Sequence, residues 1–237
     1  MECDCCRCSA ILRRELNYSL AARAGSRSKE VIIKSALIAG LAAVIGFSSV
    51  VYAADEQIDV SIRDLTPYYE KEGVNLADYS SILIDTLGLD DARIVRPPWY
   101  EGEEKNPKKW TLSKSDIQWL RQSYRETMTK EIAGNDGFPV VEEPGEGVLI
   151  LDIEIIYLMP YAERGEKVIT RGFGEMLVQA QFRDGRTGEL LAVYEGKQDV
   201  GTEYQQNTRL NNENRLLDLF RYWGKRVRGL MDRAHES

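Results

Sequence analysis

The chain has 237 residues, 43% hydrophobic and 29% charged, a composition that suits one globular domain or two small ones. Its formal charge of -7 is unevenly placed: residues 1–54 carry seven Lys/Arg against four acids, and the rest carries 24 basic against 34 acidic side chains, or -10. An acidic body repels phosphate backbones, which argues against a nucleic-acid partner.

The four cysteines, Cys3, Cys5, Cys6 and Cys8, all fall within the first ten residues. Their C-x-x-C spacings overlap, and no distant second pair exists to close a zinc site. Residues 36–47 form an uncharged run of twelve, preceded by Lys34 and followed by Ser48, Ser49 and "VVYAA". That is the pattern of a signal peptide, whose apolar region spans about 7–15 residues. Val51 and Ala53 fill the −3 and −1 sites for a cut after Ala53, and a cut after Ala54 is also open. The competing reading is an uncut membrane anchor, because 36–54 supplies nineteen residues and a spanning helix needs ~20. Gly40, Gly46 and the two serines argue against it. The 30 residues before this segment show no hydrophobic periodicity, and a start at Val31, read from a GTG codon, would give an ordinary leader. The expected organisation is therefore a non-native or cleaved extension over 1–30, a signal peptide over 31–54, and a single domain over 55–237 with its core at about 73–232.

Within that domain, 55–66 reads as a polar lead-in and "PYYEKEGVNLADYSS" as turn-rich, with a short turn around 76–79. "SILIDTLGL" reads as a strand and "ARIVRPP" as a short one stopped by Pro97 and Pro98. "WYEGEEKNPKKW" is a charged loop framed by Trp99 and Trp110. A helix follows: Ser113 and Asp116 resemble a capping box, and Ile117, Leu120, Tyr124, Met128 and Ile132 form a one-sided apolar stripe ending at Gly134, a C′ glycine. "FPVV", "VLILDIEIIYLMP", "FGEMLVQAQF" and "ELLAVYEGK" read as strands, the last two joined by the tight turn "RDGRTG". A final helix is expected over 212–232, weakened by Gly224 and Gly229. Strands grouped between two helices point to an α+β fold: a mainly antiparallel sheet with two principal helices packed on one face.

The chemistry is limited. The one histidine, His235, lies third from the end, where a terminus is usually loose, so a His-based triad or metal site is not expected. The domain has no thiol and no glycine-rich phosphate loop. Asp152 and Glu154 sit two apart on one strand and so share a face, and Glu175 and Glu195 are candidates to lie near them. Paired carboxylates can hydrolyse glycosides, although a solvated sheet face needs the same polar alternation. Trp99, Tyr100 and Trp110 form a second candidate, as a partner or ligand surface. The cationic C-terminal helix reads as a solvated face.

The order of "GVNLADYSSILIDTLGL", "LSKSDIQWLRQSYRETMTKEIA", "FPVVEEPGEGVLILDIEI" and "AQFRDGRTGELLAVYEGK" resembles a family of exported bacterial proteins, domain of unknown function 3313, over roughly 73–231. The resemblance implies an envelope location and carries no catalytic residue across. Lipoprotein members have a cysteine directly after the leader; here that place reads Tyr52-Ala53-Ala54-Asp55, so no lipid anchor is expected. The expectation is a non-catalytic periplasmic accessory or binding protein of a Gram-negative envelope. It would present its polar sheet face or its tryptophan loop to an envelope protein or ligand, with no cofactor and no metal. The alternatives are a periplasmic hydrolase using Asp152 and Glu154, and an envelope protein held in the inner membrane by an uncut leader.

Overall fold

In the computed structural model, which describes residues 65–100 and 111–237, the chain runs β1 (Thr66–Glu70), a 3-10 turn (Leu76–Asp78), β2 (Ser81–Ile84), β3 (Arg93–Ile94), α1 (Lys114–Ala133), β4 (Val140–Val141), β5 (Val148–Pro160), β6 (Ile169–Arg171), β7 (Gly174–Asp184), β8 (Leu190–Val200), β9 (Tyr204–Gln206) and α2 (Arg209–Glu236). The expected leader and its expected cleavage site at Ala53/Ala54, and Trp110 with most of its loop, lie outside the described residues.

One sheet has the order β1-β8-β7-β5-β2-β4, with β3 also beside β5, while β6 and β9 make a separate two-stranded ribbon. The α+β class holds, but the expected mainly antiparallel sheet does not: the sheet is mixed. Strands β1, β8, β7 and β5 pair antiparallel, whereas β2 and β3 run parallel to β5, and β4 parallel to β2. The cause lies in the connections. A parallel pair needs a long crossover, and α1 supplies one between β2 and β4. Residues 81–94 then follow β5 along most of its length: Ser81 is opposite Val148, Gly88 bridges to Glu154, and Arg93 is opposite Tyr157. The polar lead-in also needs correction, since its end and the following "PYYE" form edge strand β1, with a bulge between Pro67 and Tyr69.

Alternation divides the sheet into two faces. Leu149, Leu151, Ile153 and Ile155 of β5 and Met176, Val178, Ala180 and Phe182 of β7 are buried in one core with both helices. An extra residue between Ile155 and Tyr157 breaks the period, so Leu158 turns inward and Tyr157 outward. Helix α1 starts at the expected capping box, with Ser113 accepting from the Asp116 N–H and Asp116 accepting from the Ser113 N–H. It contributes buried Leu120, Tyr124, Met128 and Ile132. Its end departs from expectation: Gly134 has φ −65°, and the left-handed positions are Asn135 and Asp136. In the β7–β8 turn only Gly188 has positive φ; Gly185 is needed for space, since a Cβ there would stand 2.5 Å from the Val148 carbonyl oxygen.

Helix α2 begins earlier than its apolar stripe, at an Asn211 N–H donated to Thr208 Oγ1, and it continues past His235, whose ring lies against Phe138 at 5.1 Å. The expected loose terminus is thus a helix end. Leu216, Leu219, Phe220, Trp223, Val227 and Met231 face the core. Gly224 is where α2 meets α1: a Cβ there would fall 2.7 Å from Glu131 Cβ, whereas one at Gly229 would meet only Arg233 Nη1 at 3.4 Å. The two glycines should therefore respond oppositely. Gly224→Leu should lower unfolding free energy by about 1–3 kcal/mol through overpacking. Gly229→Ala should raise it by up to about 1 kcal/mol through helix propensity. Urea unfolding followed by circular dichroism reads both, and equal signs for the two variants would contradict the close approach.

Candidate functional site

The sheet face opposite the helices holds the carboxylates singled out in the sequence. Asp152 follows Leu151, which is opposite Ile84, and the Asp85 N–H donates to the Leu151 carbonyl at 2.8 Å. Asp85 therefore continues alongside Asp152, and two like charges share one spot. Glu154 passes over Gly88: a Cβ on that glycine would lie 3.1–3.2 Å from its Cγ, Cβ and Cα. The residue opposite Glu154 is Gln179, and beyond it stands Glu195.

Glu175 is on this face but not beside the other two. Four residues separate it from Gln179, about 13 Å along a strand. Two strand spacings, about 10 Å, put Glu195 away from Glu154. The side chains between them form a ladder: Arg183 Nη2 donates to Gln181 Oε1 at 2.7 Å, Gln181 Nε2 to Gln179 Oε1 at 2.8 Å, and Gln179 Nε2 to Glu195 Oε2 at 3.3 Å. Glu175 Oε1 takes the Tyr157 hydroxyl at 2.9 Å and Lys197 Nζ at 3.0 Å. The bond from Lys197 to Glu175, foremost, and its bond with the Tyr157 hydroxyl raise the ammonium above its ordinary range.

Trp99 is 61% exposed and meets the ring of Tyr161 at a tilt, centroids 5.4 Å apart and planes 56° to one another. Tyr100 donates its hydroxyl to Glu163, which with burial raises the phenol. Among the described residues no group of three or more His, Cys, Asp or Glu is placed to hold a metal ion, and no helix is long and apolar enough to cross a membrane.

The feature the sequence reading missed is a cleft of about 550 Å³ where α1 and α2 begin, next to the end of β5. Its floor is apolar: Ile94, Leu112, Trp119, Leu158, Phe173 and Leu216. Its rim is charged but internally paired. Arg164 Nη2 meets Asp116 Oδ2 at 2.6 Å, and Arg209 Nε meets Glu213 Oε1 at 2.5 Å. Burial opposes the Asp116 charge, but the hydrogen bonds from Ser113 and Arg164 outweigh it and hold the carboxyl below its ordinary range. One wall is held by amides, as Asn212 Nδ2 donates to Asn207 Oδ1 at 2.8 Å and Gln205 Nε2 donates to Asn212 Oδ1 at 3.1 Å. Five separate segments supply these residues, and the capping motif at Ser113 was the only part visible as a pattern.

Burial, then Asp85, raises the Asp152 carboxyl, and Arg183 acts against them. The folded carboxyl thus holds its proton more tightly than the unfolded one, and stability falls as pH rises above the ordinary value of 3.8. Asp152→Asn removes that loss. It should stabilise at pH 7 by about 0.5 kcal/mol, the scale of an unfavourable cross-strand charge pair. The gain should vanish at pH values below that window, as read by denaturant titration at several pH values.

No curated protein matches the sequence. Among solved structures, a DUF330-family protein from Xanthomonas campestris is similar at 8% identity, covering 66% of this chain and 86% of that one with a TM-score of 0.38. A PelC dodecamer from Paraburkholderia phytofirmans is similar at 10% identity, with coverages of 68% and 95% and a TM-score of 0.32. A neuraminyllactose-binding hemagglutinin homologue from Helicobacter pylori is similar at 10% identity, with coverages of 73% and 97% and a TM-score of 0.33. A family model described as a protein of unknown function matches residues 63–227, and on that match the chain belongs to the DUF3313 family.

Proposed function

We propose that this protein is a non-catalytic binding protein of the bacterial cell envelope, exported to the periplasm, whose ligand places an apolar group in the cleft between the starts of α1 and α2. The observation that carries the binding half is the cleft itself. At about 550 Å³ it falls within the range of about 300–1,000 Å³ usual for ligand sites, and it combines an apolar floor with a polar rim. The rim arginines already have carboxylate partners, so a ligand held mainly by charge would have to displace Asp116 or Glu213. An apolar chain needs no such exchange.

Support for the export half comes from the leader pattern over 31–54 and from the family resemblance. The carboxylates on the other sheet face serve the alternative, a hydrolase, less well. Asp152 and Glu154 lie on an alternating polar surface outside the cleft, and Glu175 is engaged by Tyr157 and Lys197.

Straight-chain fatty acids displacing a dansyl-labelled fatty acid test the cleft. Each methylene withdrawn from water contributes about 0.8 kcal/mol, so affinity should rise about fourfold per carbon until the cleft is filled. Ala162→Trp, on the cleft wall, should weaken binding at least tenfold with the fold retained by circular dichroism. Chain-length-independent affinity, or an unaffected variant, would remove the cleft from consideration. Osmotic-shock fractionation with N-terminal sequencing tests location: the chain should begin at Ala54 or Asp55, and peptides from 1–30 in the native protein would count against the leader reading.

A further inference from the structure

Where β5, β7 and β8 reach the end of the open face, Trp99 and Glu175 are joined by residues that no motif marks. The register sets Glu175 opposite Met159 on one side and Asp199 on the other, with Tyr157 and Lys197 one pleat along. Two residues beyond Met159 comes Tyr161, whose phenol is raised by burial and then by Asp199 and Glu175, so both carboxylates act on that ring. Trp99 meets Tyr161 in a tilted ring contact. The backbone that carries the indole is restricted: Pro97 and Pro98 limit it, and the Tyr100 N–H donates to the Pro97 carbonyl at 3.0 Å. A single exposed apolar side chain needs no explanation. This one packs against a second ring, Tyr161, which stands within the electrostatic reach of two carboxylates.

We infer that Trp99, Tyr161, Glu175, Lys197 and Asp199 form a carbohydrate-binding surface, in which the face of a sugar ring lies on the Trp99 indole and its hydroxyls bond the adjacent carboxylates and ammonium. The chemistry selects the ligand class. The electron-rich indole face attracts the weakly positive C–H bonds on one side of a pyranose. The hydroxyls of the same ring are both donors and acceptors, so they can join the Asp199 carboxylate and the Glu175–Lys197 pair without parting that pair. A phosphate-bearing ligand is disfavoured by Glu175 and Asp199. A cationic ligand would have to sit beside Lys197. The inference is independent of the cleft, which none of these five residues lines.

Isothermal titration calorimetry of the full chain with maltohexaose, cellohexaose and chitohexaose tests it. At least one should bind, and Trp99→Ala should weaken that binding at least tenfold. Trp99→Tyr should stay within about threefold of wild type, and Lys197→Met should weaken binding several-fold. Ala162→Trp should leave sugar binding unchanged, which separates this surface from the cleft. No heat from any of the three sugars at millimolar concentration would overturn the inference, as would wild-type affinity in Trp99→Ala. The exposure of Trp99 makes unfolding an unsuitable explanation for a loss, and retention by Trp99→Tyr checks that directly.

Discussion

Strand β5 is the constraint on which the rest of the molecule depends. Thirteen residues long, it is hydrogen-bonded on both sides and in two senses, antiparallel to β7 and parallel to the chain between Ser81 and Ile94. A strand in that position must bury alternate side chains, and Leu149, Leu151, Ile153 and Ile155 do so against α1 and α2. Their neighbours Ile150, Asp152 and Glu154 are forced to the other face by the same geometry. The polar face is therefore a by-product of building the core. Its carboxylates are present whether or not any chemistry uses them.

The bulge at Ile156 then decides what lies at each end of β5. It turns Tyr157 outward to Glu175 and brings Leu158 inward, where it helps to floor the cleft. Past Pro160 the chain leaves the sheet, and the starts of α1 and α2 are the elements that close around its exit. Arginines fasten this arrangement from the helices. Arg121 Nε donates to the Leu87 carbonyl at 3.1 Å, on the arch between β2 and β3, and Arg125 Nη1 to that of Ile84, at the end of β2. Arg228 reaches from α2 to the Gly134 and Asn135 carbonyls at the end of α1. Each of these bonds offers charge to a carbonyl that the regular ladders leave over.

Much of this was legible in residue patterns. Alternation located β5 at its observed bounds and β7 within two residues, and the Ser113/Asp116 box placed the start of α1. Patterns failed where physics is not local. Periodicity reports which face a residue occupies but not the direction of the neighbouring strand, so the parallel pairing of β2, β3 and β4 was invisible. β1, β6 and β9 are short and largely exposed, and therefore have no apolar alternation to detect. Gly224 read as a defect in α2 because its use, the approach of Glu131, belongs to another helix. Of the candidate site residues, Asp152 and Glu154 were correctly placed on one face, while the distance to Glu175 depended on a register that no single strand carries.

The mixed sheet also sets how the molecule opens. β5, β7 and β8 follow in sequence with only short β6 between the first two, so their antiparallel ladders close short loops. The outer pairings join distant parts of the chain, Thr66 with Glu195 and Ser81 with Val148, and must meet a larger closure entropy before they return any stability. Strand β1 adds a proline, a bulge and five exposed residues to that cost. Local unfolding therefore starts at β1, and its amide hydrogens exchange long before those of the β5–β7 ladder.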